Sequence, residues 1–168
     1  MLVGLNVQVG LAHNWNRAAP YHWHTGSDIR VWVYGTNQTR ANSALNDWDS
    51  HTDINFPRSP SHTEMSVWGG DFGATGWAGL ATIWSNLDSH GAAATHCHAR
   101  YNKHYQKPWW DPAWWGTSGG QWRQGVFCQE IGHCLGLAHS NDGCMGMGYY
   151  NHKTTTNSHN RNDVNAKF

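Results

Sequence analysis

Gln129-Glu130-Ile131-Gly132-His133-Cys134-Leu135-Gly136-Leu137-Ala138-His139-Ser140 is the stretch of this chain that decides its fold and points to its chemistry. Arg123 to Leu135 has the pattern of a helix, and Gly136 stands where that helix would stop. Each helical residue advances ~100°, so Gln129 and His133 lie one turn apart and ~40° around, on one face. Glu130 flanks them, ~100° round from Gln129. Gly136 can take positive φ, ending the helix and swinging the chain back, which brings His139 toward the same point. Two imidazoles, an amide and a carboxylate then converge. Three protein ligands with a fourth position open to water make the donor set of a catalytic zinc. Such a metal brings the pKa of water down to about 7, and a carboxylate beside it can take that proton and pass it to a leaving amine. The expected reaction is metal-assisted hydrolysis of a peptide bond, with Gln129, His133 and His139 as ligands and Glu130 as general base. A Gln side chain reaches about as far as His, and its amide oxygen is a neutral donor, though poorer for zinc than an imidazole nitrogen.

Working outward, Asp28 to Tyr34 alternates as a strand, and Thr39 to Asp53 reads as a helix with Ala41, Ala44, Leu45 and Trp48 on one face. Ile54-Asn55-Phe56 reads as a short strand closed by Pro57, and Thr63 to Trp68 as another. The glycine-rich loop Gly69 to Gly79 feeds a strand over Leu80 to Trp84. Ala94 to Tyr101 alternates as the next strand, and Lys107 to Trp122 is a Trp-rich loop. Beyond Ala138 come loops and a short helix starting near Asn162 or Asp163. The order predicts an α+β layout around one mixed sheet. With no repeat and no dividing linker, residues 1–168 read as a single domain whose first 26 residues are unassigned.

Lys and Arg total 11 against 11 Asp and Glu, a formal charge of zero that argues against phosphate neutralisation and hence against a nucleic-acid partner. No apolar run approaches the ~20 residues of a membrane-spanning helix. Leu, Ile, Val and Phe are only 24 of 168 residues, but 12 Trp and 6 Tyr supply the missing apolar area, so the core leans on Trp. Most of the 13 His read as surface polar residues. Nothing in the pattern sets an oligomeric state.

The four cysteines, Cys97, Cys128, Cys134 and Cys144, form no paired CxxC hooks, and their even number suits two disulfides in a secreted, extracellular protein. Cys128 and Cys134 stand ~9 Å apart along one helix, beyond the ~7 Å that a disulfide spans. Either Cys128–Cys144 pairs with Cys97–Cys134, or Cys97–Cys128 with Cys134–Cys144. The N-terminus, Met1 to Trp15, is no signal peptide by pattern: it lacks a basic start, Asn6 and Gln8 interrupt it, and Leu5, Val7 and Val9 alternate like a strand.

The stretch 129–140 resembles the HExxHxxGxxH signature of the metzincin metalloproteases, with Gln129 in place of the first His. Ser140 after the third ligand resembles the matrixin branch. Cys144-Met145-Gly146 falls where metzincins carry a methionine turn beneath the metal, with Met147 as the other candidate. GGDFGATGWAGLATIW (residues 69–84) resembles the matrixin loop and the edge strand that lines the substrate cleft, and Asn162-Asp163 resembles the start of the C-terminal helix. The resemblance covers roughly Ser27 to the end. It implies a metzincin-like twisted mixed β-sheet with two main helices and a small C-terminal subdomain, a catalytic zinc, and a polypeptide substrate paired along Leu80, Ala81 and Thr82 by strand addition. Tyr149 and Tyr150 would wall the pocket beyond the scissile bond, and Cys128–Cys144 would tie the helix to the methionine turn. Matrixins also hold a structural metal near the strand carrying His96 and His98, which Asp71 could join; the plainer reading is two exposed strand histidines.

A different class of function also fits: a metzincin-like extracellular binding or structural module without protease activity. Gln129 favours it. Trp109, Trp110, Trp114, Trp115 and Trp122 would then form an aromatic surface rather than a lid on the core.

Overall fold

The structure, a computed structural model, describes residues 21–61, 63–88, 91–105, 119–146 and 153–168. Its strands are β1 (Tyr21–Trp23), β2 (Val31–Gly35), β3 (Met65–Gly70), β4 (Gly79–Asp88) and β5 (Gly91–Asn102); its helices are α1 (Gln38–His51), α2 (Gly119–Cys134) and α3 (Ser158–Asn165). This is the expected α+β class with a mixed, mostly parallel sheet. β5 is its axis. One side of β5 pairs in parallel with β1, against Ala92 to Ala94, and with β3, against Cys97 to Asn102. β2 lies parallel outside β3, and β4 runs antiparallel along the other side of β5.

Alternation sorts the side chains. Val31, Met65, Val67, Ala81, Cys97, Ala99 and Tyr101 are buried in one core with Ala41, Ala44, Leu45 and Trp48 of α1 and Phe127, Cys128 and Ile131 of α2. The intervening residues form an aromatic band on the other face. Trp32 and Tyr34 stack at 4.0 Å, Tyr34 and Trp68 at 5.0 Å, and Trp68 meets the ring of His98 at 4.7 Å.

Two edges behave differently. The outer edge of β2 is covered by residues 55–59, through Ile29 N–H to Asn55 O at 3.0 Å and Val31 N–H to Pro57 O at 2.8 Å. This is the segment expected as a strand over Ile54 to Phe56; it makes only isolated bridges at Asn55 and Arg58, because Pro57 has no N–H to continue a ladder. On β4, Asn102 N–H donates to Ala78 O at 2.8 Å, making 78 and 102 a hydrogen-bonded pair. Bonded and non-bonded pairs alternate in an antiparallel ladder, so the N–H and C=O groups of Gly79, Ala81 and Ile83 point away from β5.

Three further expectations are corrected. α3 starts at Ser158, four residues before Asn162, because Asn157 caps it, accepting Asn160 N–H at 2.9 Å. Trp122 is a residue of α2, not of a loop, and its ring meets the buried Tyr101 at 5.9 Å. The strand Tyr21–Trp23 lies in the segment left unassigned. The alternating Leu5 to Val9 and Trp109, Trp110, Trp114 and Trp115 fall outside the described residues.

Both disulfides are present, Cys97–Cys134 and Cys128–Cys144, each with Cα atoms 5.8 Å apart. They anchor α2 to β5 at its end and to the 143–145 turn at its middle. Two buried indoles add to this: Trp48 Nε1–H donates to Cys128 O at 3.1 Å and Trp23 Nε1–H to Cys134 O at 3.0 Å. Gly132 is where α2 is approached most closely. A Cβ there would overlap Met145 Sδ and stand 2.9 Å from Trp48 Cζ2. Gly132→Ala is therefore expected to destabilise the protein by about 1–3 kcal/mol, read as a lower denaturant midpoint at unchanged slope.

Candidate functional site

α2 ends in a Schellman motif. Gly136 takes φ +84°, its N–H donates to His133 O at 2.9 Å, and Leu137 N–H donates to Gly132 O at 3.0 Å. This reversal does what the glycine was expected to do. It places His139 Nε2 3.1 Å from His133 Nε2, the rings meeting at 76°. Two nitrogens bound ~2.0–2.1 Å from one tetrahedral zinc stand ~3.3 Å apart.

The protonation pattern suits ligands. His133 Nδ1 lies 2.8 Å from Leu137 O. A carbonyl only accepts, so Nδ1 carries the proton. Burial and the neighbouring His139 bring His133 down to about 4, against the raising effect of that hydrogen bond. The ring is neutral at neutral pH, and Nε2 presents its lone pair. Burial also lowers His139. A ring N–H anchored on a carbonyl is the outer support that orients a metal-binding imidazole.

Gln129 is held the same way. Its Nε2–H donates to Gly146 O at 3.0 Å, just past the 143–145 turn. The amide is thereby fixed by its nitrogen end, leaving Oε1 as its donor atom. Met145 is fully buried beneath this part of α2, with Sδ against Gly132. Ser140 N–H donates to Met145 O at 2.8 Å, closing the loop between the second imidazole and the turn.

Glu130 faces β4. It is 5 % exposed, and its carboxylate lies over Gly79, directed toward the outward-pointing N–H of Ala81. Burial pushes it up to about 8, opposed by the Ala81 N–H and the charge of Arg100. A carboxylate at this place can take up a proton and release it again. Arg100 donates to Thr82 Oγ1, and its guanidinium lies 5.7 Å from the ring centre of Trp68 and 5.9 Å from that of Trp77.

No family model and no curated protein matches this chain. Among solved structures it is similar to one titled "Structure of myroilysin", at 20% identity and a TM-score of 0.40. The match covers 70% of this chain and 52% of the other, so this chain spans about half that structure's length. A likeness this slight carries no argument about activity.

The remaining expected site residues are placed as follows. Leu80 and Thr82 direct their backbone groups to β5, so of the three expected cleft residues Ala81 alone has N–H and C=O on the free edge. Tyr149, Tyr150 and Met147 lie outside the described residues. His96 and His98 do share a face, with ring centres 4.7 Å apart. Asp71 does not join them: it lies 3.8 Å from His104 Nδ1. Among the described residues, no group of three or more His, Cys, Asp or Glu is placed to hold a metal; the candidate trio includes an amide.

Sequence reasoning missed Trp23, the carbonyls of Leu137 and Gly146, and Gly132 as a packing residue. Only Gly132 carried a signal, since a glycine inside a helix costs ~1 kcal/mol against Ala unless its small size is used.

Proposed function

We propose that this chain is a secreted zinc-dependent endopeptidase of the matrixin-like branch of the metzincins. The observation that carries this is the meeting of His133 Nε2 and His139 Nε2 at 3.1 Å across a glycine-terminated helix. His133, His139 and Gln129 Oε1 would hold the metal. Zinc bound there supplies a Lewis acid and acidifies water toward neutrality. Glu130 takes a proton from the attacking water and returns it to the leaving amine. The outward edge of β4, at Gly79, Ile83 and the carbonyl of Ala81, receives the peptide as an added strand, the Ala81 N–H being engaged by Glu130, and Met145 supports the site from below. Two disulfides suit the oxidising conditions of secretion, and no helix among the described residues is long and apolar enough to cross a membrane.

A metal-free binding or structural module is favoured by one feature: the two Nε2 atoms can satisfy each other through an N–H···N hydrogen bond, while the Gln129 amide is anchored by Gly146. Zinc content separates the two. The purified protein, equilibrated with zinc and dialysed, is expected to retain about one equivalent; less than about a tenth would favour the module.

A further inference from the structure

The turn that carries both imidazoles is held from outside by the far end of the chain. Four of the carbonyls around the end of α2 have partners of their own. Gly132 O accepts from Leu135 and Leu137, His133 O from Gly136, Cys134 O from the Trp23 indole, and Leu137 O from His133 Nδ1–H. Gly136 O points the other way and accepts from Lys167 Nζ at 2.9 Å. Lys167 is brought there by its neighbours. Its N–H donates to Val164 O at 2.8 Å, Val164 is fully buried, and Phe168 packs against the core. The base of α3 is fixed as well, since Cys144 N–H donates to Thr155 O at 3.0 Å just before the helix.

We propose that Lys167 is a positioning residue for the candidate metal site: its ammonium grips the Gly136 carbonyl and so fixes the adjoining Leu137 carbonyl that orients His133. The linkage runs from Lys167 Nζ to Gly136 O, through the 136–137 peptide and the Leu137 Cα to Leu137 O, and on to His133 Nδ1. The peptide after Gly136 is held at both ends, its N–H on Gly132 O and its carbonyl by Lys167 Nζ, which offsets the conformational freedom of the glycine. A cation at a helix C-terminus is also favoured by the negative end of the helix dipole. Burial lowers Lys167 to about 8, with Asp163 opposing, which matches a side chain drawn in among the turn while still charged at neutral pH.

The proposal rests on His133 and His139 being the ligand pair, but its main readout needs no metal. In the metal-free protein, solvent exchange of the His133 Nδ1 proton is followed by NMR. Lys167→Met keeps the apolar stem and removes the donor. It is expected to speed that exchange about 10-fold and to weaken zinc binding, measured by chelator competition, by about 3- to 10-fold. Lys167→Arg, which keeps a charged donor, is expected to restore both. Should Lys167→Met fail to fold by circular dichroism, Lys167→Gln, with a neutral donor on a shorter stem, takes its place and is expected to fall short in both measurements. Exchange within twofold of wild type in the folded variant, Lys167→Met or its substitute Lys167→Gln, overturns the proposal. If the wild type takes up no zinc, the ligand assignment falls, and the exchange rate still decides the role of Lys167.

Discussion

Replacing Glu130 by Ala is expected to abolish peptide cleavage while leaving zinc bound. General acid–base catalysis contributes about 10²- to 10⁴-fold, and the chain holds only one other glutamate. That residue, Glu64, is occupied by Arg30, whose Nε–H donates to both carboxylate oxygens at 3.0 Å. The loss will not reflect unfolding. Burial disfavours the Glu130 carboxylate, which offsets part of what is lost when Ala removes the bond to the Ala81 N–H. Melting temperature and zinc content should therefore stay close to wild type while kcat/KM falls at least 100-fold. A variant that binds zinc and keeps more than about a tenth of its activity would remove Glu130 from the role of base.

Gln129→His is expected to tighten zinc binding by about 10- to 100-fold. The gain comes from exchanging an amide oxygen for an imidazole nitrogen. The support already exists, since Gly146 O, now accepting from Gln129 Nε2–H, can accept from an imidazole N–H at the same position. Competition against a chromophoric chelator measures the change. Affinity equal to or below that of the wild type would show that residue 129 is not a ligand and that its bond to Gly146 serves only to hold the turn.

The candidate site was legible where it depended on local geometry. A helix ended by a glycine reverses the chain, so the approach of His139 to His133 followed from spacing alone. The exclusion of a Cys128–Cys134 bond followed from the rise of the same helix. Less was legible wherever a side chain answers to a backbone group distant in sequence. The Leu137 carbonyl that sets the tautomer of His133, the Gly146 carbonyl that fixes the Gln129 amide and the Lys167 ammonium on Gly136 leave no pattern in residue types. Ile54 to Phe56 misled because apolar residues beside a proline look like a strand whether or not a partner offers a continuous ladder. Asp71 could join His96 and His98 on sequence alone, whereas in the fold it lies 3.8 Å from His104 Nδ1.

By itself, the amino-acid sequence determined the α+β class, the principal helices, the strand alternation and the clustering of two imidazoles beside an acid, because each follows from the fixed periods of helix and strand acting over a few residues. Only the tertiary structure decided which edge of the sheet is free, which face of the sheet the helices cover, how the cysteines pair and what orients each imidazole. Those depend on packing and hydrogen bonding between segments distant along the chain, which local periodicity does not encode.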